Sequence, residues 1–151
     1  MAKQLIRKFM SELRYRKIKK YLVGKTLDVG TEFNHDYFTT QCDIIKKEGV
    51  EEQNVLNLDY KNNEFDTVVC LEVLEHTLNP VKAIKELKRV SKRIIISVPL
   101  EPWFTLPRLF LGWNKEHYWA ITPMILKHYL GEPIYEKKFC FRWYIGIWEK
   151  N

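Results

Sequence analysis

The sixteen residues from Phe65 to Pro80, FDTVVCLEVLEHTLNP, constrain the fold of this chain more than any other stretch. Thr67, Val68, Val69, Cys70 and Leu71 form an unbroken β-branched and apolar run, the pattern of a strand covered on both faces of a sheet. The run opens onto a polar cluster, Glu72, Glu75 and His76. Asn79-Pro80 then restarts the chain as a helix, with Asn79 placed to cap and Pro80 at the first helical position. A strand whose carboxyl end delivers carboxylates and an imidazole into a strand-to-helix loop is where open α/β sheets place their ligands.

Around this segment, strands and helices alternate, which predicts an α/β domain with a mostly parallel sheet. Strand one is expected over residues 26–30, strand two near 37–44, strand three over 54–58, strand four over 66–72 and strand five over 93–99. Between the last two, residues 80–91 place Val81, Ile84, Leu87 and Val90 on one helical face, with lysines opposite. A further helix is expected over 123–130. The tail, 134–149, divides into two aromatic and β-branched runs around Cys140–Arg142, read as an antiparallel hairpin. Residues 4–22 give a basic amphipathic helix, with Leu5, Phe9 and Leu13 repeating at i+4 and Gly24 ending it.

A chain of 151 residues holds one domain, divided here into the basic helix (1–24), a ligand-binding half (25–99) and an acceptor-side segment with the hairpin (100–151). No run approaches the roughly 18 apolar residues that span a bilayer. The basic N-terminus lacks an apolar signal core, so a cytoplasmic location is expected, with Cys42, Cys70 and Cys140 reduced. The net charge of +6 is unevenly spread. Residues 1–25 carry nine Lys/Arg against one Glu, whereas residues 26–80 carry three against twelve acidic side chains. The basic helix is a candidate nucleic-acid or anionic-surface contact, but a helix packed on its own domain with a solvated basic face is the plainer reading.

Two segments, TLDVG at 26–30 and the E-V-L-E-H run at 72–76, stand about forty residues apart in this order. Together they resemble the Rossmann-like class of S-adenosylmethionine-dependent methyltransferases, in the branch whose fourth strand ends in E-V-L-E-H. The resemblance covers roughly residues 25–130 and implies a single Rossmann-like methyltransferase domain with S-adenosylmethionine as cofactor. It also implies site positions: Asp28, Gly30, Thr31 and Glu32 in the first loop, and Asp43 as the ribose-binding carboxylate. Asp59 matches the acidic residue near the adenine, with Tyr60 to flank the ring, and Leu71 and Glu72 close the site at strand four. Glu32 stands where the family has a glycine. Only seven residues separate Gly30 from Tyr37, reaching about 23 Å when extended, so the first crossover helix is expected to be absent or very short.

Trp103, Phe104, Phe110, Trp113, Tyr118 and Trp119 crowd the segment 100–119, which in the family covers the acceptor. They suit an apolar acceptor pocket or a homodimer interface, with core packing taking some of them. His117 is the leading candidate general base, followed by His76, although a structural or capping role suits each as well. The function expected is methyl transfer to an O or N nucleophile of a small-molecule, lipid or glycan acceptor. Two rivals are a non-catalytic methyltransferase-like binding module, favoured by the eroded glycine motif, and a nucleic-acid-directed methyltransferase using the basic helix. The latter ranks lower because no aromatic-interleaved basic groove is evident. No metal is expected.

Overall fold

The computed structural model describes residues 2–100, 117–139 and 143–150. Seven strands form one sheet in the order β3-β2-β1-β4-β5-β7-β6. They are β1 (Thr26–Val29), β2 (Thr40–Asp43), β3 (Glu51–Glu52), β4 (Phe65–Leu71), β5 (Ser91–Pro99), β6 (Tyr135–Phe139) and β7 (Trp143–Glu149). The first five run parallel, and β7 enters antiparallel between β5 and β6. The mostly parallel α/β domain with a C-terminal antiparallel hairpin is therefore the fold. Residues 140–142 at the hairpin's turn, Cys140 among them, lie outside the described residues, as do 101–116 with Trp103, Phe104, Phe110 and Trp113.

Helices α1 (Ala2–Ile18), α2 (Pro80–Val90) and α3 (Pro123–Leu130) cover the sheet's two faces. Asn79 caps α2 by accepting from the Lys82 amide at 3.0 Å, and Thr122 caps α3 by accepting from Ile125 N at 3.3 Å. Each has proline at the helix start, as the sequence implies. α2 buries Ala83, Ile84, Leu87 and Val90 against the sheet with Val68, Cys70, Ile94 and Ile96. Each fully buried aliphatic side chain contributes roughly 1.5–3 kcal/mol of transfer free energy. On the other face, Tyr15 and Ile18 from the end of α1 pack with Phe38, Val69, Leu71, Ile95, Ile145 and Ile147. α1 ends in a short 3-10 turn, Lys19–Tyr21. Leu5 and Phe9, from its first turns, remain exposed.

No helix forms between β1 and β2, as the short spacing predicts. The end of α1 and the side chains of Tyr37 and Phe38 cover that face instead. The third strand differs from expectation. It is the two-residue β3, paired with Cys42 and Asp43, and residues 54–58 form no strand. Val55 and Leu58 are buried, but in a turn region where Asn54 accepts from the Leu56 amide and its own carbonyl accepts from Asn57 N. The apolar run Val55, Leu56 and Leu58, without a pairing partner, produced the false strand signal. Cys42 and Cys70 are buried free thiols, and burial pushes Cys42 up to about 12.

Candidate ligand site at the carboxyl edge of the sheet

The carboxyl ends of β2, β1 and β4 lie side by side and carry most of the polar residues singled out by sequence. At the end of β1, Gly30 takes φ +79°, and a Cβ there would stand 2.3 Å from Val73 Cγ2. This close approach and left-handed backbone select glycine, and they bring the first loop against the loop after β4. The amides of Gly30 and Thr31 both donate to the Cys42 carbonyl, at 2.8 and 3.2 Å. Those two N–H groups hold β2, leaving the loop's later residues to meet any ligand.

Asp28 is wholly buried beneath this loop. Its Oδ2 accepts from the Tyr15 hydroxyl and from the Thr31 hydroxyl, both at 2.7 Å. Its Oδ1 is buried with no hydrogen-bond partner among the described residues. Burial pushes the Asp28 carboxyl up to about 7, opposed by the hydrogen bonds from Tyr15 and Thr31. Burial and the neighbouring Asp28 likewise push Tyr15 well up. Thr31 is itself fully buried and serves Asp28, while Glu32 is exposed. Tyr15 belongs to the site's structure although no sequence signal short of the fold connects it to Asp28.

At the end of β2, Asp43 Oδ1 accepts from the Ile45 amide at 2.9 Å, and Oδ2 pairs with Lys47 Nζ at 2.6 Å. The same ammonium reaches the Thr31 carbonyl at 2.6 Å. Lys47 thus ties β2's end to β1's loop, a link signalled in sequence only by its i+4 spacing from Asp43. At the end of β4, Glu72 adopts φ +58°, a conformation that costs a non-glycine residue of order 1–2 kcal/mol and clusters at functional sites. Ser97 of β5 fixes it: its hydroxyl donates to Glu72 Oε1 at 2.8 Å, and its carbonyl accepts from Glu72 N at 3.1 Å. Leu71 packs in the core under α1.

Asp59 and Tyr60 follow the turn after β3, where the Asp59 amide donates to Gln53 Oε1 at 3.1 Å. α2 runs from the end of β4 back to the start of β5, so its last turns lie at the sheet's amino edge. Arg89 there donates to the Leu58 and Tyr60 carbonyls at 2.7 and 2.6 Å. The Tyr60 ring meets Phe65, the first residue of β4, edge-on at 4.9 Å. The Tyr60 hydroxyl donates to Glu51 at 2.7 Å, and Asp59 is exposed. With strand three at residues 51–52, Gln53 and Asn54 are the residues that leave its carboxyl end. Gln53 N donates to the Asp43 carbonyl at 2.9 Å.

Beyond β4 a 3-10 turn, Leu74–His76, carries Glu75 and His76. Tyr118 N and Trp119 N both donate to the Glu75 carbonyl, at 2.8 and 3.3 Å, and the Trp119 indole N–H donates to the Thr77 carbonyl at 3.0 Å. His117 is thereby set against His76, ring centroids 4.6 Å apart and nearly perpendicular. Beside this seam, a groove of about 710 Å³ is lined by Leu78, Val81, Trp119, Ile121, Met124 and Tyr129 among others.

Several features fit a nucleoside-bearing donor: a glycine approach, carboxylates on neighbouring strand ends, and the partnerless buried Asp28 oxygen beneath them. Known proteins bear on the same region. A family model described as a methyltransferase domain matches residues 25–94. An uncharacterised protein of Methanocaldococcus jannaschii is 34% identical over 73 residues, 46% of this chain and 32% of that protein, so the chain matches about a third of that relative's length. Among solved structures, the PH0226 protein of Pyrococcus horikoshii superposes with a TM-score of 0.70 at 16% identity, covering 97% of this chain and 91% of the other. A SAM-dependent methyltransferase of Methanosarcina mazei gives 0.63 at 17% identity over 90% and 97% of the two chains. Magnesium protoporphyrin IX methyltransferase of Synechocystis, solved with bound SAH, gives 0.63 at 14% identity over 92% and 80%. Residues 25–94 thus match a methyltransferase domain, and the sheet and helices around them have the fold of these solved structures.

Proposed function

We propose that this chain is an S-adenosylmethionine-dependent methyltransferase acting on an O or N nucleophile of a small-molecule, lipid or glycan acceptor. The observation that carries this reading is the continuous row Asp43, Lys47, Thr31, Gly30, Val73 and Glu72 across three adjacent carboxyl-terminal strand ends. When bound, the donor supplies an electrophilic methyl group on a sulfonium. Asp43 would accept from the ribose hydroxyls, Gly30 would keep the first loop packed against Val73 of the β4 loop, and Glu72, pre-set by Ser97, would hold its place at the site's far side. Asp59 and Tyr60 are left out of this proposal, since the Tyr60 ring packs on Phe65 and the Asp59 side chain is exposed.

The apolar groove beside Trp119 suits an acceptor with a hydrocarbon or aromatic body. His76 lies between Glu72 and that groove along the chain's path, with the His117 ring against it, where an imidazole would take a proton from a nucleophile. Methyl transfer draws most of its acceleration from alignment, so the residues that orient donor and acceptor matter more than a strong base.

The non-catalytic rival has one specific support. Lys47 already neutralises Asp43 and occupies the Thr31 carbonyl, a closed arrangement that a donor would have to open. Calorimetric titration with S-adenosylmethionine and its demethylated product decides between the two. Binding with Kd below about 100 μM, weakened at least tenfold by Asp43→Ala, supports the enzyme. No heat up to about 1 mM of either ligand supports the rival.

A further inference from the structure

The geometry points to a divalent transition-metal site formed by Glu75, His76 and His117, with coordination positions left open for an oxygen ligand. One carboxylate oxygen and one nitrogen from each imidazole all lie within 4.8 Å of one another. Donors sharing an ion at about 2.0–2.2 Å stand up to about 4 Å apart, so side-chain rotations of less than about an ångström close the set. Two features separate this cluster from a chance surface encounter. The donors come from segments forty residues apart in sequence, and three hydrogen bonds stitch those segments together at Glu75 and Thr77. The Glu75 side chain is also fully buried while His76 is exposed and His117 half-buried, so a cation would reach a buried carboxyl group through an accessible pair of imidazoles.

The donor chemistry narrows the ion. Two imidazole nitrogens and one carboxylate suit Zn²⁺, Mn²⁺, Co²⁺ or Fe²⁺, whereas Ca²⁺ and Mg²⁺ prefer all-oxygen sets. Three protein ligands are the number found at open sites, where water or substrate completes the shell, rather than at closed structural ones. Glu75 lies three residues past Glu72, and the groove's lining begins at Leu78 and Trp119, two residues past His76 and His117. What the open positions would hold, an oxygen of the acceptor, rests on the methyltransferase reading. The site itself does not.

The test is titration of the chelator-treated 151-residue chain with Zn²⁺, Mn²⁺ and Co²⁺ alone. The expected result is one equivalent bound, a visible d–d spectrum for the Co²⁺ form, and enhanced water-proton relaxation for the Mn²⁺ form from water in the open positions. Glu75→Gln risks misfolding because the carboxylate is buried, so His76→Asn and His117→Asn carry the test. Each should weaken binding about tenfold or more with an unchanged far-ultraviolet spectrum, while His128→Asn leaves it intact. Absence of stoichiometric binding up to about 1 mM, or binding undiminished in both histidine variants, overturns the site. Titration with the demethylated cofactor product, run on the same samples, separates the two readings. Metal binding without it would sink the methyltransferase and spare the site, and the reverse would sink only the site.

Discussion

The two halves of the sheet's carboxyl edge are built differently. On the β1–β2 side, most polar groups are held by the protein itself: Tyr15 and Thr31 hold Asp28 Oδ2, and Lys47 holds Asp43 and the Thr31 carbonyl, leaving Asp28 Oδ1 the exception. On the β4–β5 side, the chain spends strain on Glu72 and gathers Glu75, His76 and His117 beside a groove. The contrast follows from the missing crossover helix. A helix after β1 would present free N–H groups at its start. Without one, the loop is held by side chains from distant parts of the chain, and the edge on that side is tied down. The proposed metal site and acceptor groove both lie past β4, where a full strand–turn–helix unit follows the strand.

The largest effect should come from Asp28, at the heart of the tied side. Its folded pKa, about 7, lies above the ordinary 3.8. A group with a raised folded pKa contributes stability that is complete below the unfolded value and is lost as pH rises through the folded one. Relative to Asp28→Asn, the wild-type chain should therefore lose up to about 4 kcal/mol of unfolding free energy between roughly pH 4 and pH 8. Urea melts across that range measure it. A pH-independent difference would mean that Asp28 stays ionised, held by Tyr15 and Thr31, and that this side is less dry than its burial implies.

Gly30 joins the two halves, so altering it disturbs both. Gly30→Ala should cost about 2–3 kcal/mol, from a left-handed backbone without glycine and from contact with Val73. Combining it with Val73→Ala relieves the contact but not the backbone term, so thermal unfolding should show partial recovery. Full recovery would show that φ at this position is freely adjustable, and the halves would then be less rigidly joined.

Much of this was legible in the sequence, and the exceptions share a cause. β4, β5, α2, α3 and the hairpin are long enough for burial pattern, caps and prolines to agree, so their positions read within a residue or two. The absent first helix followed from chain reach alone. β3 escaped because a two-residue strand has no periodicity, and the apolar run Val55, Leu56 and Leu58 mimicked one. The misplaced strand is what singled out Asp59 and Tyr60, whereas Gln53 and Asn54 leave the end of β3 and the Tyr60 ring packs on Phe65. Tyr15 and the seam of His117 with Glu75 are tertiary facts, made by packing between segments with no local signal. Charge counting could not reveal that Lys47 neutralises Asp43, yet the i+4 spacing was there to be read.

Lys47 offers the next test of the contrast. If the tied side hinders the donor, Lys47→Met should free Asp43 and raise affinity for the demethylated product about three- to tenfold, or roughly 1 kcal/mol. The pair is partly exposed, with side-chain accessibilities of 32% and 12%, so a larger gain is not expected. A loss of affinity instead would make Lys47 a ligand-binding residue, and the β1–β2 side would be as functional as the other.

The smallest effect should come from Trp119, whose indole N–H donates to the Thr77 carbonyl. Trp119→Phe keeps an aromatic body beside the groove but deletes that hydrogen bond, at a cost of about 0.5–1 kcal/mol to global stability. Its local consequence should be greater than its global one. The two remaining bonds from Tyr118 N and Trp119 N to Glu75 would open more often, so both amides should exchange with solvent several-fold faster. Amides of Gly30 and Thr31, tied to Cys42 on the other side, should be unchanged. Equal acceleration at both places would mean that the carboxyl edge behaves as one cooperative unit, and the division into a tied half and a poised half would fail.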